Sequence, residues 1–589
     1  MNKSILAVAV VSLLPYASFT QAQQSSADET VVVTANRFEQ TLDSVIQPVE
    51  VVTKEEIDAL QAKSLLEVLN RLPGIQITSN GGYGQSQSVF VRGTNSDHVL
   101  LLVDGVRTGS ATLGSANISA MPLAGVQRIE YLRGPRAVAY GSDALGGVIN
   151  VITDTNAEEV VLSLSAGSDA YAQGSLAIAH QLTEKLHSSI TLNQSKTDGF
   201  SVQNGTGNED DDGYDAKNVT AALTYKLNEQ VQLGVQGFYH DGEVEYDAAD
   251  AKKDETVYNV VAHINYQSAK WQSKLALSQN QDYNYNYAYD SEYQTDRTGV
   301  AWTNHYHVNN VISLGGGFDW YRDDVSESSE AFENPARDNF AIYTTGFATV
   351  GAFDFELALR HDDNEHYGNE TTWQFATVWN LNDQYRLKVN SGTAFKAPTF
   401  NDLNETPNLL PEESIQYELA FEADYDLVDW RLAVYQNDID NLIAWAPVDN
   451  AGTWKPSNVD SVEIFGAELV ALFDTGPIQH ELILEYLDAE DKSTGKQLDR
   501  RAKDSYKWNI SYQENGWRGE LSTLYQGDRT DGSDELDAYV LVDLAISYEV
   551  IDNLTLRARV ANLFDEEYVL VDGYNTQERS YFGTVEYRF

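Results

Sequence analysis

Side chains alternate between apolar and polar residues along several segments of this chain, and the last of these segments reaches the final residue. From Tyr581 to Phe589, the residues Tyr, Gly, Val, Tyr and Phe occupy alternate positions, and the positions between them include Thr, Glu and Arg. The same two-residue period occurs in 385–390, 542–548 and 553–560. This period is typical of β-strands that have two different faces. The sequence therefore predicts a protein built mainly from β-sheet.

The N-terminus predicts export. Lys3 precedes an apolar run of ten residues, Ile5 to Leu14, that only Ser12 interrupts; Pro15 follows it, and Ala22 ends a small-residue cleavage pattern. A membrane-spanning helix needs roughly 20 apolar residues, so this run is too short to be an anchor. Because no later segment is as apolar, the exported protein is expected to be either soluble or a membrane β-barrel.

The polar faces of the strands favour the barrel. They repeatedly carry Arg, Lys and Glu, which suits a wide, wet lumen better than the exterior of a thin sandwich. The 34 tyrosines suit the aromatic girdles of such a barrel. Residues 155–589 provide room for about 20 strands at about 10 residues each plus turns. A barrel of that width is an open hole unless another part of the chain fills it.

Composition excludes several classes of protein. The chain has 89 Asp and Glu residues against 39 Lys and Arg residues, a formal net charge of −50. This balance argues against a nucleic-acid partner, which requires a basic face. Cysteine is absent, so disulfides, thiolate nucleophiles and cysteine-ligated metals are excluded.

The segment that follows the predicted signal peptide lacks the long alternating pattern of the later strands. Residues 54–72 have helical spacing of apolar residues, with Thr53 as N-cap, Glu56 three residues later, and a Pro-Gly stop at 73–74. Short apolar strands are predicted at 89–91 and 99–103. These patterns predict a compact α+β unit that precedes the barrel.

The motifs of both parts resemble those of TonB-dependent outer-membrane receptors. The resemblance implies a 22-stranded antiparallel transmembrane β-barrel filled by an N-terminal α+β plug, in a monomer that contacts outer-membrane lipid. The expected organisation is a signal peptide at 1–22, a TonB box and plug at 23–153, and the barrel at 154–589. The motifs are Leu72–Gly74, Val91–Gly93, Val103–Val106, Glu130–Thr153, Phe395–Pro398, Pro407–Glu412 and Ala561–Asp565.

A short β-prone run near the mature N-terminus resembles the TonB box of that family. A run of this kind pairs with the sheet edge of a partner, and the resemblance implies that the partner is the periplasmic protein TonB. The predicted box comprises Glu29, Thr30, Val31, Val32, Val33, Thr34 and Ala35.

Finer motifs at 34–40, 80–82, 92–95 and 473–477 resemble the cobalamin receptors within the family. The resemblance implies an active transporter of cobalamin, whose corrin ring carries amides that small polar groups and backbone can bind. Family contacts near Tyr293 and Tyr539 have no clear match. A receptor for an iron siderophore or haem, with the same machinery, is the alternative. The implied cobalamin contacts are Ser86, Ser88, Asn95, Leu113, Gly114, Ala248 and Arg500.

Two acidic loops predict either a solvated surface or a calcium site. Ca²⁺ prefers six to eight oxygen ligands, which carboxylates and carbonyls supply. The resemblance to cobalamin receptors favours calcium, although Ser201 stands where the family has an acidic ligand. The implied ligands are Asn208, Asp210, Asp212, Tyr246, Asp247 and Asp254.

Two other classes are disfavoured. Asp474-Thr475-Gly476 matches an acid-protease triplet but occurs once, whereas such a protease needs two carboxylates. The sequence has no nucleophile elbow, zinc-protease motif or phosphate loop, so we expect no enzymatic activity and no catalytic cofactor. A passive porin is disfavoured because the plug would block free diffusion.

Overall fold

A computed structural model describes residues 32–34, 36–153, 157–203, 210–247, 251–448, 453–459 and 461–589. The predicted signal peptide at 1–22 lies outside the described residues. No helix among the described residues has the length and apolar character needed to cross a membrane.

Within the described residues, 22 antiparallel strands form one closed barrel, and the last strand pairs with the first. The number of strands expected from the family resemblance is therefore confirmed. The two-residue strand Lys496–Gln497 adds to the end of one of them. The 22 strands are Glu159–Gly167, Ala172–Thr183, Leu186–Phe200, Asp212–Lys226, Val231–Glu245, Lys252–Gln267, Trp271–Asn286, Ser291–His307, Ile312–Asp324, Ala336–Val350, Phe353–Asn364, Gly368–Asn380, Tyr385–Lys396, Glu412–Tyr425, Val428–Asp440, Ser461–Thr475, Ile478–Asp491, Asp504–Glu514, Trp517–Gln526, Tyr539–Ile551, Leu554–Ala561 and Ser580–Arg588.

The predicted alternation places apolar side chains outside and polar side chains inside. In the last strand, Tyr581 and Val585 are 54% and 48% exposed on the outer surface, whereas Thr584 and Glu586 are buried in the lumen. An outer surface of this kind is stable against lipid. The polar row lies on the side of the lumen, where Thr584 pairs with Ser165 and Glu586 with Arg557 of neighbouring strands.

The two ends of the barrel differ. At one end, called here the short-turn end, connections such as 184–185, 227–230 and 308–311 have two to four residues. At the other, called the long-loop end, connections such as 397–411 and 562–579 are much longer. Outer-membrane barrels have short turns on the periplasmic side and long loops outside the cell. The elements at the long-loop end are helix Phe400–Glu405 and the hairpins Ile443–Pro447 with Trp454–Asn458 and Arg529–Asp531 with Asp534–Leu536.

The plug fills the lumen and has its own apolar core. Its five-stranded mixed sheet packs against short helices, and side chains such as Leu69, Ile75, Ile129 and Ile149 are fully buried. The predicted strands at 89–91 and 99–103 are confirmed. The plug strands are Val32–Val33, Gln40–Thr41, Val49–Thr53, Ile75–Ser79, Gln87–Val91, Val99–Val103, Val106–Arg107, Arg128–Arg133 and Gly147–Ile152. The helices are Lys54–Leu60, Leu65–Leu69 and Ala137–Tyr140, with 3-10 turns at Leu42–Ser44, Ser96–His98 and Ile118–Ala120.

The helix predicted over 54–72 is in fact two helices. Thr53 and Glu56 form the predicted capping box at the start of Lys54–Leu60. Gln61 then adopts a left-handed conformation with φ of 53°, which ends the helix. Ser64 caps the second helix, Leu65–Leu69, by accepting a hydrogen bond from the Glu67 backbone. Apolar spacing alone did not reveal this interruption.

Candidate ligand-binding and coupling sites

Four of the predicted plug contacts, Ser86, Asn95, Leu113 and Gly114, lie on loops that face the long-loop end, and Ser88 lies in the adjoining strand Gln87–Val91. Ser86 is exposed in the turn between Ile75–Ser79 and Gln87–Val91, and Gln85 beside it donates to the Glu245 carbonyl at the top of a barrel strand (2.6 Å). Leu113 is 62% exposed although it is apolar. These loops present small polar groups, backbone and one apolar side chain to a ligand that arrives from outside the cell.

Lys396, from the barrel, holds the loop that contains Gly114. Its ammonium group donates to the Gly114 carbonyl (3.2 Å) and to Asp143 Oδ1 (3.0 Å). Gly114 has φ of +77°, and a Cβ there would lie 2.6 Å from the Lys396 Nζ, so glycine is required. Burial raises the pKa of Asp143, but the cations Lys396 and Arg107 outweigh it and lower that pKa to about 2. Asp143 therefore stays ionised and fixes Lys396 beneath the loop.

Arg501, from a long loop, holds the loop that contains Asn95. Its guanidinium group donates to Asn95 Oδ1 (2.5 Å) and to the Thr94 carbonyl (3.3 Å), and it lies 3.8 Å above the Phe90 ring. Burial lowers the pKa of Arg501 to about 10, and the group remains charged at neutral pH. The side-chain oxygen of Asn95 is thus engaged by Arg501, which leaves its amide group as the donor for a ligand.

Arg500, the predicted barrel contact, points elsewhere. Its Nε donates to Asp531 Oδ1 (2.8 Å) and its backbone N–H donates to the Thr530 carbonyl (2.6 Å), so it binds the neighbouring hairpin. The structure thus brings Arg501, not Arg500, onto the plug loop. Sequence reasoning did not select Arg501, although the Arg-Arg doublet was visible. Ala248 lies outside the described residues.

The structure brings only some of the predicted calcium ligands close together. Asp212 accepts the Val202 N–H (2.7 Å), and Asp247 accepts the Gln203 N–H (2.5 Å), within hydrogen-bonding reach of Asp212. Ser201 donates its hydroxyl to Asp247 Oδ2 (3.3 Å). Two of the predicted calcium ligands are therefore close together beside Ser201.

Other predicted calcium ligands have different neighbours. Tyr246 donates its hydroxyl to Asn286 (2.7 Å), and Asp254 accepts the Tyr287 hydroxyl (2.6 Å). Asn208 lies outside the described residues. The part of the chain that the structure describes contains no group of three or more carboxylates or histidines arranged to hold a metal ion. One oxygen of Asp247, Oδ1, is buried and has no hydrogen-bond partner among the described residues.

The predicted coupling segment is folded against the short-turn half of the plug. Val32–Val33 pairs with Gln40–Thr41. Thr34 donates its hydroxyl to Glu130 (2.6 Å), and its carbonyl accepts the Tyr140 hydroxyl (2.8 Å). Glu29, Thr30, Val31 and Ala35 lie outside the described residues.

Arg37 and Phe38, which follow this segment, bind it to the barrel wall. Arg37 forms an ion pair with Asp319 (2.5 Å) and donates to the Ala139 carbonyl (3.1 Å). The Phe38 ring stacks on His305, with 3.9 Å between ring centroids, and contacts Phe347 edge-on. A force on the N-terminus would reach these contacts before it reaches the plug core.

A buried ion network joins plug and barrel at mid-depth. Arg92 donates from Nε and Nη2 to the two oxygens of Glu468 (2.8 and 2.9 Å) and also contacts Glu418. Arg133 reaches the same Glu468 (3.1 Å) and Glu50 (2.6 Å). Buried charges of this kind require partners, so the network fixes the rotational position of the plug.

A cavity of about 730 Å³ separates the plug from one side of the wall. Its lining includes Arg37, Phe38 and Asp104 from the plug and residues 226 and 228–232 at a short turn. The cavity therefore lies behind the coupling segment and away from the ligand loops.

The fold and these sites define a plugged transport barrel, and comparison with known proteins identifies its family. A family model described as "TonB dependent receptor-like, beta-barrel" matches residues 163–563, and one described as "TonB-dependent Receptor Plug Domain" matches residues 41–148. The chain therefore belongs to the TonB-dependent receptors of the outer membrane.

Comparison with individual proteins gives closer similarities within this family. The chain is 47% identical to the vitamin B12 transporter BtuB of Photobacterium profundum, with full coverage of both chains. It is 36% identical to the vitamin B12 transporter BtuB of Vibrio cholerae, again over both full chains. A mutant of the ferric enterobactin receptor PfeA of Pseudomonas aeruginosa has a TM-score of 0.80 at 19% identity, covering 95% of this chain and 100% of that chain. The siderophore receptor PirA of Acinetobacter baumannii has a TM-score of 0.78 at 19% identity, covering 92% and 98%. At that identity the two solved structures are evidence of the fold alone.

Proposed function

We propose that this protein is an outer-membrane receptor that binds a cobalamin and imports it into the periplasm with energy supplied through TonB. The observation that carries the proposal is the 47% identity, over the full length of both chains, to a protein named as a vitamin B12 transporter. Homologues of this kind are transporters and receptors, in agreement with the expectation of a protein without enzymatic activity.

The ligand loops support this assignment. Ser86, Ser88 and Asn95 offer hydroxyl and amide groups, and Gly114 offers backbone, which suits a ring edged with amides. Leu113 provides an exposed apolar contact. Lys396 and Arg501 hold two of these loops in place before the ligand arrives, which reduces the entropic cost of binding.

An iron siderophore or haem is the alternative cargo. The solved siderophore receptors share the barrel and the plug, but at 19% identity. We therefore keep cobalamin as the proposed ligand and use ferric chelates and haem as competitors in its test.

The decisive experiment is binding by the purified full-length protein. Intrinsic fluorescence quenching is measured with cyanocobalamin, with a ferric catecholate siderophore and with haem. We expect saturable quenching by cyanocobalamin, and no saturable signal from the others. Saturable binding of a ferric chelate or of haem that cyanocobalamin does not displace would contradict the cobalamin assignment.

We further propose that calcium orders the loops around Asp212 and Asp247. The buried, unpaired Oδ1 of Asp247 and the contact between the two carboxyl groups support this, because adjacent carboxylates repel one another unless a cation or a proton lies between them. Asp210 would add charge from the same loop. Calcium would act by ordering the loops for the ligand and would take no part in chemistry.

A further inference from the structure

His98 is fully buried directly beneath the ligand loop. It ends the 3-10 turn Ser96–His98, which follows Asn95, and one ring edge faces that loop while the other faces the barrel residue Glu412. Its backbone carbonyl accepts the Gly146 N–H (2.9 Å). A side chain in this place connects the ligand loop to the barrel wall.

The hydrogen bonds determine the protonation of the ring. Nδ1 accepts the backbone N–H of Asn95 (3.2 Å), so Nδ1 carries no proton in this arrangement. Nε2 lies 2.6 Å from Glu412 Oε2 and therefore donates its proton to that carboxylate. The other oxygen of Glu412 accepts the Ile443 N–H (2.9 Å) at the start of an outer hairpin. Both ring nitrogens are thus used, and Glu412 is itself held in place.

We propose that His98 is a positioning residue, whose neutral ring holds the Asn95 loop ready for the ligand and whose protonation releases that loop. The inference rests on the proposed binding of a cobalamin at these loops. A second proton can bind only at Nδ1, because Nε2 already carries one. The protonated Nδ1–H then faces the Asn95 N–H, so that two donors meet and the hydrogen bond is lost. Loss of this bond loosens the backbone at a predicted ligand contact.

The surrounding charges raise the pH at which this change occurs. Burial lowers the pKa of His98, but the neighbouring carboxylates outweigh it and raise the pKa above its ordinary value. The neutral ring is then fully present only above the pH range in which a free histidine titrates. The charged groups around the ring are Glu412, Asp97 at 3.9 Å from Nε2, Lys396 with its partner Asp143, and Arg501 on the far side of Asn95.

Two substitutions separate the roles of the ring nitrogens. In His98→Asn, the shorter amide can place its oxygen where Nδ1 lies, accept the Asn95 N–H, and never take up a proton. In His98→Gln, the longer amide reaches toward Glu412 and leaves the Asn95 N–H without an acceptor. His361→Asn is the matched control, because His361 is an exposed histidine whose Nδ1 pairs with Thr371 on the outer wall.

The test measures cyanocobalamin affinity of the purified full-length protein from pH 8 to pH 5.5, in excess calcium chloride. We expect wild type and His361→Asn to lose about fivefold in affinity across this range, the value of roughly one hydrogen bond. His98→Asn should bind as wild type does at pH 8 and show no such loss. His98→Gln should be weaker throughout and equally independent of pH. Glu412→Gln should shift the wild-type midpoint to lower pH, because the anion that favours the protonated ring is gone.

A wild-type affinity that is constant with pH, or an equal loss in His98→Asn, would overturn the proposal. A ligand-free readout separates it from the cobalamin assignment: the ring nitrogen chemical shifts of ¹⁵N-histidine-labelled protein, with His98 identified by the signal missing in His98→Asn. We expect the Nε2–H tautomer at pH 8 and a doubly protonated ring at pH 5.5. An Nδ1–H tautomer at pH 8 would reject the positioning role whatever ligand the protein binds, whereas absence of cyanocobalamin binding at pH 8 would reject the proposed function.

Discussion

Arg92, on the plug, forms ion pairs with two barrel carboxylates. Its guanidinium group binds both oxygens of Glu468, contacts Glu418, and lies 4.2 Å from the centre of the Tyr435 ring. All of these side chains are buried. Removing one partner of a buried ion pair leaves an uncompensated charge in a site that water does not reach.

We predict that Arg92→Ala destabilises the docking of the plug by about 3–5 kcal/mol. The measurement is the free energy of opening of plug amides by hydrogen exchange in the intact protein. Lys503→Met is the control, because its ion pair with Asp488 (2.7 Å) is exposed and should contribute less than about 1 kcal/mol. Equal effects of the two changes would show that the buried network does not hold the plug.

Asp143 gives a residue-scale prediction about pH. Its folded-state pKa of about 2 lies below the ordinary value of 3.8, so its contribution to stability is complete above about pH 4 and is lost as the pH falls towards 2. In Asp143→Asn this contribution is absent at every pH. We therefore expect the free energy of opening at the Gly114 loop to differ between the two proteins at pH 7 and to converge as the pH falls below about 4.

The control for this comparison is Asp383→Asn, in the exposed short turn 381–384. It should leave the hydrogen exchange of the Gly114 loop unchanged both at pH 7 and below about pH 4. A constant difference between wild type and Asp143→Asn down to pH 2 would mean that the carboxylate charge is not what holds Lys396 beneath the loop.

At the scale of elements, the proposed calcium site joins the two acidic loops that contain Asp212 and Asp247. We predict that the double change Asp210→Asn, Asp247→Asn weakens cyanocobalamin binding by at least about tenfold in calcium, since ordering and binding are linked. The measurement is affinity with calcium chloride and with a chelator. The double variant should give one value in both conditions.

Asp211→Asn is the matched control, because Asp211 belongs to the same loop but is outside the predicted ligand set. It should keep the calcium response of wild type. If the chelator leaves the affinity of wild type unchanged, the acidic loops are solvated surface and calcium has no part in ligand binding.

At the scale of the whole molecule, the ligand loops and the N-terminal coupling segment lie at opposite ends of the barrel. The ligand loops face the long-loop end, whereas Val32–Val33, Arg37 and Phe38 lie towards the short-turn end. Uptake therefore requires a partner that engages the N-terminal segment, and an extended segment can pair with the sheet edge of that partner. The pairing of Val32–Val33 with Gln40–Thr41 must open first if the partner uses the same backbone groups.

We predict that Val32→Pro abolishes accumulation of radiolabelled cobalamin by whole cells and leaves surface binding intact. Proline removes one N–H and restricts the preceding residue, so strand pairing with the partner fails while little side-chain volume is lost. Val32→Ala keeps the N–H and should transport normally. Normal accumulation in Val32→Pro cells would exclude this segment as the coupling element, and lost surface binding would assign it to the plug fold.

Much of the architecture could be read from the sequence because it depends on short-range patterns. The two-residue period identified strands such as Ser580–Arg588 and which of their faces meets lipid, and Thr53 with Glu56 marked the start of a helix. These signals involve residues within a few positions of one another. The number of strands followed from motif resemblance, since strand length and chain length gave only an approximate value.

The tertiary structure alone decided the contacts that make the sites. Arg501, not its neighbour Arg500, turns towards Asn95, because one faces the lumen and the other a neighbouring hairpin. His98 and Glu412 meet across 314 residues of sequence. At the break, Gln61 donates to the Ile546 carbonyl (3.0 Å) and its own carbonyl accepts a hydrogen bond from Arg559 (3.3 Å), both on the barrel, and apolar spacing does not show these contacts. Periodicity determines what each strand presents, whereas closure of the barrel around the plug determines which of those side chains meet.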